Sequence, residues 1–117
     1  KGENMQLLTL ILKDDHNLDP ILKELANHGV KGGTILEGRG MGEELVNMED
    51  IPIFGMLRRV LKDEDKPESK VVLFVVRDEQ VVDARETIKS FVDLNTPNSG
   101  IMFVIPITYV EGISTKE

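Results

Sequence analysis

The segment that most constrains this chain is residues 71–76, Val-Val-Leu-Phe-Val-Val. A continuous apolar, β-branched run of that length reads as a strand in the middle of a sheet. Residues 5–12 form a second such run, rich in Leu and Ile. Residues 34–37 read as a short strand, and residues 101–105 as a last one, followed by Pro106 and an extended tail to Val110. Two helical patterns separate these strands. In the first, Leu18, Ile21, Leu22 and Leu25 share one face, with Lys23, Glu24 and Asn27 opposite. Asp19 is its expected N-cap, Pro20 its first helical residue and Gly29 its left-handed stop. In the second, Asp78 is the expected cap, and Val81, Ala84, Arg85, Ile88, Phe91 and Val92 recur at helical spacing to about Asp93. Residues 95–100 are dense in turn formers.

The order is β-α-β, a long connection over residues 42–70, then β-α-β. It defines an α+β, ferredoxin-like domain: a four-stranded antiparallel sheet with two helices on one face. The 117 residues make one domain with a long insert. Two helices cover one sheet face. The two long strands are apolar on both sides, so the second face calls for another copy of the chain, and a homo-oligomer is expected.

Composition narrows the function. The chain carries 14 Lys+Arg against 21 Asp+Glu, a net charge of −7, with one Tyr, four Phe and no Trp. Phosphate neutralisation needs cations and base stacking needs aromatics, so a nucleic-acid partner is not expected. The absence of Cys removes disulfides, thiolate nucleophiles and Cys-based metal sites. No apolar run reaches the roughly 18 residues of a membrane span. No secretory leader pattern opens the sequence. The expectation is a soluble, cytoplasmic protein.

Catalytic chemistry finds little support. None of Ser69, Ser90, Ser99 and Ser114 stands in a nucleophile-elbow context. Glu43-Glu44 and Asp63-Glu64-Asp65 are runs of the solvated kind that rarely hold the raised pKa of an acid catalyst. The chain is read as a non-enzyme. Of the two histidines, His28 precedes Gly29, where an imidazolium complements a helix C-terminus. His16 stands beside Asp14 and Asp15, either a weak metal site or solvated loop carboxylates. The cluster Gly38-Arg39-Gly40-Met41-Gly42 at a strand end is either a hinge or a loop whose backbone N–H groups face a ligand. It is neither a dinucleotide fingerprint nor a P-loop, and no helix is expected to follow it.

Three stretches of the chain resemble the nitrogen-regulatory PII signal-transduction family. They are the helix and turn from Leu18-Asp19 to Gly29-Val30-Lys31-Gly32, the strand and glycine run from Thr34 to Gly42, and Gly100-Ile101-Met102-Phe103-Val104-Ile105-Pro106. The second is similar to the family's Thr-Val-x-Glu-x-x-Gly-x-Gly, and the third to its Gly-Lys-Ile-Phe-Val-x-Pro. The register holds over residues 9–42 and 71–110. The resemblance implies a ferredoxin-like homotrimer that binds an adenine nucleotide (ATP, ADP or AMP) in clefts between subunits. It also implies docking on a transporter, enzyme or regulator through a long loop, in nitrogen metabolism. Carried onto this chain, the cleft comprises Thr34, Gly40, Met41, Gly42, Glu43 and Glu44 on one side, and Val75, Asn98, Ser99, Gly100 and Ile101 across it. The departures lie at the phosphate end. Glu43-Glu44 replaces the family's Arg-Gln, Ile101 replaces its Lys, and Gly112 and Ser114 stand where it has two arginines. Each change removes a cation, so the resemblance with these departures implies weak ATP binding.

The 42–70 insert is longer than the family's loop and contains no Tyr for covalent nucleotidylation. Within it, Phe54, Leu57, Val60 and Leu61 fall on one helical face, with Arg58 and Arg59 elsewhere. This segment is either a helix packed on the domain or a docking element that orders on a protein target. The rival reading of the whole chain is a trimeric divalent-metal-binding protein of the cation-tolerance type, which shares this fold. A structural module with an empty cleft is a third.

Overall fold

The computed structural model describes residues 4–13, 15–46 and 68–113. Four strands, β1 (Met5–Leu12), β2 (Gly33–Arg39), β3 (Glu68–Arg77) and β4 (Gly100–Ile107), form one antiparallel sheet in the order β2-β3-β1-β4. Helix α1 (Leu18–Asn27) joins β1 to β2, and α3 (Val81–Lys89) joins β3 to β4. A six-residue helix, α2 (Met41–Val46), follows β2.

The core lies between the helices and one sheet face. Leu8, Leu10 and Leu12 of β1 alternate with Val72, Phe74 and Val76 of β3, and Ile21, Leu25, Ala84 and Ile88 close over them. Partly buried Met102 and Val104 of β4 extend this face, opposite Leu10 and Leu8. The other face bears Leu7 and Ile11 of β1, Val71, Leu73 and Val75 of β3, and Ile101, Phe103 and Ile105 of β4. These side chains are half-buried or exposed, with Ile101 at 59% and Phe103 at 40%. Among the described residues this apolar face is uncovered, as expected of strands that are apolar on both sides with helices on one side only.

The caps depart from expectation. A 3-10 turn, Asp15–Asn17, runs directly into α1, so Asn17 and not Asp19 stands at the N-cap and Asp19 falls in the first turn. The Asn17 side chain makes no capping bond and donates instead to the Phe91 carbonyl at 2.8 Å, tying the start of α1 to the segment after α3. Pro20 still lies in the first turn, where a missing N–H costs no helical bond. Likewise Asp78 opens a 3-10 turn, Asp78–Gln80, and α3 starts only at Val81. It ends at Lys89, short of the expected Asp93, where the Ser90 hydroxyl donates back to the Thr87 carbonyl at 2.6 Å. At the end of α1, Gly29 takes φ +93° as expected. Its N–H donates to Ala26 O at 3.0 Å and the Val30 N–H to Leu25 O at 2.9 Å, the paired bonds of a Schellman stop.

One polar cluster joins the helices. His28 Nδ1 lies 2.7 Å from Asp83 of α3, its Nε2 lies 3.2 Å from Glu24 of α1, and Gln80 Nε2 donates to the Gly29 carbonyl at 3.2 Å. The Asp83 hydrogen bond, then that of Glu24, raises the His28 pKa above its ordinary value near 6.5. A folded-state pKa above the unfolded one gives stability that is complete below about pH 6.5 and lost as pH rises through the folded value. Asp83→Asn is therefore expected to lower the His28 pKa in an NMR titration. Its Tm deficit against the parent should be larger at pH 5.5 than at pH 8. A deficit equal at both values would show that the contact carries no proton linkage.

Candidate functional site

The resemblance assigned two groups of residues to a cleft, and the fold places them at opposite edges of one sheet, except Val75, which lies on the inner strand β3 beside β2. Thr34, Gly40, Met41, Gly42 and Glu44 belong to β2 and the start of α2; Asn98, Ser99, Gly100 and Ile101 belong to the turn before β4 and its first residues. With β3 and β1 between them, the two edges are separated by three strand spacings, about 14 Å. One chain does not bring the groups together.

On the β2 side, Thr34 lies opposite Leu73 on the uncovered face, and Val75 lies two residues further along β3, opposite Leu7. Thr34 and Met41 are exposed, Met41 at 77%. The chain turns at Gly40 into α2, and the Glu44 N–H donates to the Gly40 carbonyl at 3.1 Å. This helix corrects the expectation of no helix after the glycine cluster. It returns Glu44 to the strand end, where its carboxylate accepts from Arg39 Nη1 at 2.7 Å. The adjacent Glu37 of β2 pairs with Lys70 of β3. Residue by residue scanning cannot see the Arg39–Glu44 pair, because their spacing meets only when a helical turn follows Gly40.

On the β4 side, Asn98 has φ +64° and Gly100 φ +154°. The Ser99 hydroxyl donates to Thr96 O at 2.8 Å, and the Ser99 carbonyl accepts from the Lys13 N–H at 3.3 Å. Ile101 is exposed and supplies no donor side chain. Among the described residues, Arg39 is paired with the Glu44 carboxylate, and position 101 carries an apolar side chain.

His16 is exposed on the 3-10 turn, and no group of three or more His, Asp or Glu side chains able to hold a metal occurs among the described residues. Asp14, the Glu43 side chain, Ser114 and the docking residues Phe54, Leu57, Arg58, Arg59, Val60 and Leu61 lie outside the described residues. No helix among the described residues is long and apolar enough to cross a membrane.

A β2-β3-β1-β4 antiparallel sheet with two helices on one face defines a ferredoxin-like α+β protein. The family model of the nitrogen regulatory protein P-II matches residues 5–117, and the chain belongs to that family of signal-transduction proteins. No curated protein matches it closely. Among solved structures it is similar to a Bacillus subtilis GlnK–ATP complex at 20% identity, over 90% of this chain and 83% of that one, with a TM-score of 0.59. It is similar to Arabidopsis thaliana PII bound to citrate at 23% identity, over 97% and 87%, with a TM-score of 0.63. A functionally unknown protein from Pediococcus pentosaceus shares the fold at 14% identity, over 94% and 98%, with a TM-score of 0.60.

Proposed function

We propose that this chain is a cytoplasmic, non-enzymatic regulator that works as a homotrimer. It senses a small-molecule effector, an adenine nucleotide or a related anion, in clefts between subunits. It passes the signal to a protein target through residues 42–70, in nitrogen metabolism. The observation that supports this reading is the placement of the two expected site segments at opposite sheet edges, with an apolar face between them that is uncovered among the described residues. Association through that face completes the cleft, and a ligand bound there senses the geometry of two chains at once. The solved GlnK complex holds ATP and the plant PII holds citrate, both anions, which supports an anionic effector here. For the target, the apolar stripe Phe54, Leu57, Val60 and Leu61 is the docking surface. Its acidic flanks, Glu49-Asp50 and Asp63-Glu64-Asp65, favour a protein over an anionic membrane.

A thermal-shift screen with ATP, ADP, AMP, cyclic nucleotides, bicarbonate and divalent metals tests the reading, since binding to the folded state alone raises Tm. The expected result is stabilisation by at least one nucleotide or small anion, with ATP weak. Stabilisation by divalent metals alone would replace this reading with that of a cation-binding trimer.

A further inference from the structure

The middle of the uncovered face carries a hydroxyl among apolar neighbours. Thr9 of β1 lies opposite Leu73 of β3 on one side and Phe103 of β4 on the other. Leu8 and Leu10 belong to the core, so strand alternation puts the Thr9 side chain on the uncovered face, with Leu7 and Ile11. Its larger neighbours there are half-buried or exposed, Phe103 at 40%, yet Thr9 is only 4% exposed. The hydroxyl sits at the floor of an apolar surface, at the centre of the sheet.

Among the described residues that hydroxyl has no hydrogen-bond partner. Thr87, also buried, shows the ordinary arrangement, its hydroxyl donating to the Asp83 carbonyl at 2.8 Å. A buried hydroxyl without a partner is costly, and valine would fill the same space without that cost. A group arriving over the uncovered face would remove it.

Two observations identify that group. The rungs flanking Thr9 are Leu7 with Val75 and Ile105, and Ile11 with Val71 and Ile101, none of them charged. In a chain of net charge −7, identical copies can meet on such a surface without like-charge repulsion. A hydroxyl is also both donor and acceptor, so a closed ring of identical hydroxyls satisfies every member, each donating to the next. A carboxylate or an ammonium cannot do this. In a ring closed through the β2 and β4 edges, the edges meet the neighbouring copies and the inner strands β1 and β3 face the axis. Thr9 stands in the middle of β1.

We infer that the Thr9 hydroxyls of three copies meet in one hydrogen-bonded cluster on the assembly axis, and that this cluster selects which subunits assemble together. This rests on the homotrimer reading above and deepens it by naming the residue that sets register and partner. Apolar burial is non-directional and supplies the association. A hydroxyl that misses its neighbours is buried unsatisfied, and that supplies the choice. A single polar residue in an apolar seam fixes register and oligomer state of coiled coils by the same physics.

Subunit mixing tests this. The parent chain and Thr9→Val, one of them isotopically labelled, are unfolded, mixed in equal amounts, refolded and weighed by native mass spectrometry. A ring holding both residues leaves a hydroxyl unsatisfied, so mixed trimers should fall roughly 5-fold below their random proportion. Thr9→Ser keeps the hydroxyl and should mix with the parent at random. Thr9→Val alone should still assemble, with a Tm no lower than the parent's, because it replaces every member of the cluster at once. Random mixing of the parent with Thr9→Val overturns this inference while the trimer stands. So does depletion of the Thr9→Ser mixtures to the same degree, which would make shape and not hydrogen bonding the sorting force. A Thr9→Val chain that fails to assemble also overturns it, because the apolar face then does not supply the association. A parent that stays monomeric overturns the trimer reading and the inference together.

Discussion

Sedimentation of the full chain is expected to report about three times its 13.1 kDa mass, and Phe103→Asp to abolish that assembly. Ile101, Phe103 and Ile105 line the β4 edge of the uncovered face at 59%, 40% and 45% exposure, and Leu36 lies at the β2 edge at 47%. Large apolar side chains gain roughly 1.5–3 kcal/mol each on full burial, so a face of this composition favours association strongly. In the proposed cleft the two edges are different, β2 on one copy and β4 on the next. A contact between unlike edges is head-to-tail, and a three-fold rotation closes it into a ring. A carboxylate at position 103 must be desolvated in that interface without a partner, which costs several kcal/mol in each subunit. The variant should therefore sediment as a monomer or aggregate, and lose any effector-induced stabilisation at the same step. A parent that stays monomeric at micromolar concentration would remove both the assembly and the shared cleft.

Much of the fold was legible because its signals are local and strong. The apolar run of β1 carries its own bounds, Met5–Leu12, and the Leu18, Ile21, Leu25 face of α1 is the buried one. Gly29 announced its own backbone conformation, since an L side chain is strained at φ +93°. The caps were not legible. Asp19 and Asp78 are good cap residues, but the chain tightens into 3-10 turns at both places, and the Asn17 side chain is drawn to the distant Phe91 carbonyl. The short helix after Gly40 was hidden by Gly42, which lowers helix propensity without forbidding one turn.

The site was legible only in halves. Glycines and turn formers marked both segments, but their separation across the sheet follows from strand order, which no single segment encodes.

Gly100→Ala is expected to be the most damaging single methyl in the chain. A Cβ there would sit 2.3 Å from the Ile11 carbonyl oxygen, a backbone atom that cannot swing aside, and φ is +154°. Strained backbone of this kind costs about 1–3 kcal/mol, and forcing strands apart against a packed core costs a similar amount again. The loss should be about 3 kcal/mol, some 10 °C or more in Tm for a domain of this size. The damage also reaches the site. Gly100 fixes the approach of β4 to β1, and with it the bond from the Lys13 N–H to the Ser99 carbonyl. Displacing β4 also moves Ser99 and Ile101, residues of the proposed cleft, so effector affinity should fall with stability. Gly40→Ala is the control: nothing lies within 4 Å of its Cβ position and its φ is not in the left-handed region, so its Tm should stay close to the parent's. Parallel melting curves for the two variants decide the matter. Equal Tm values for both would mean that β4 meets β1 less closely than this register requires.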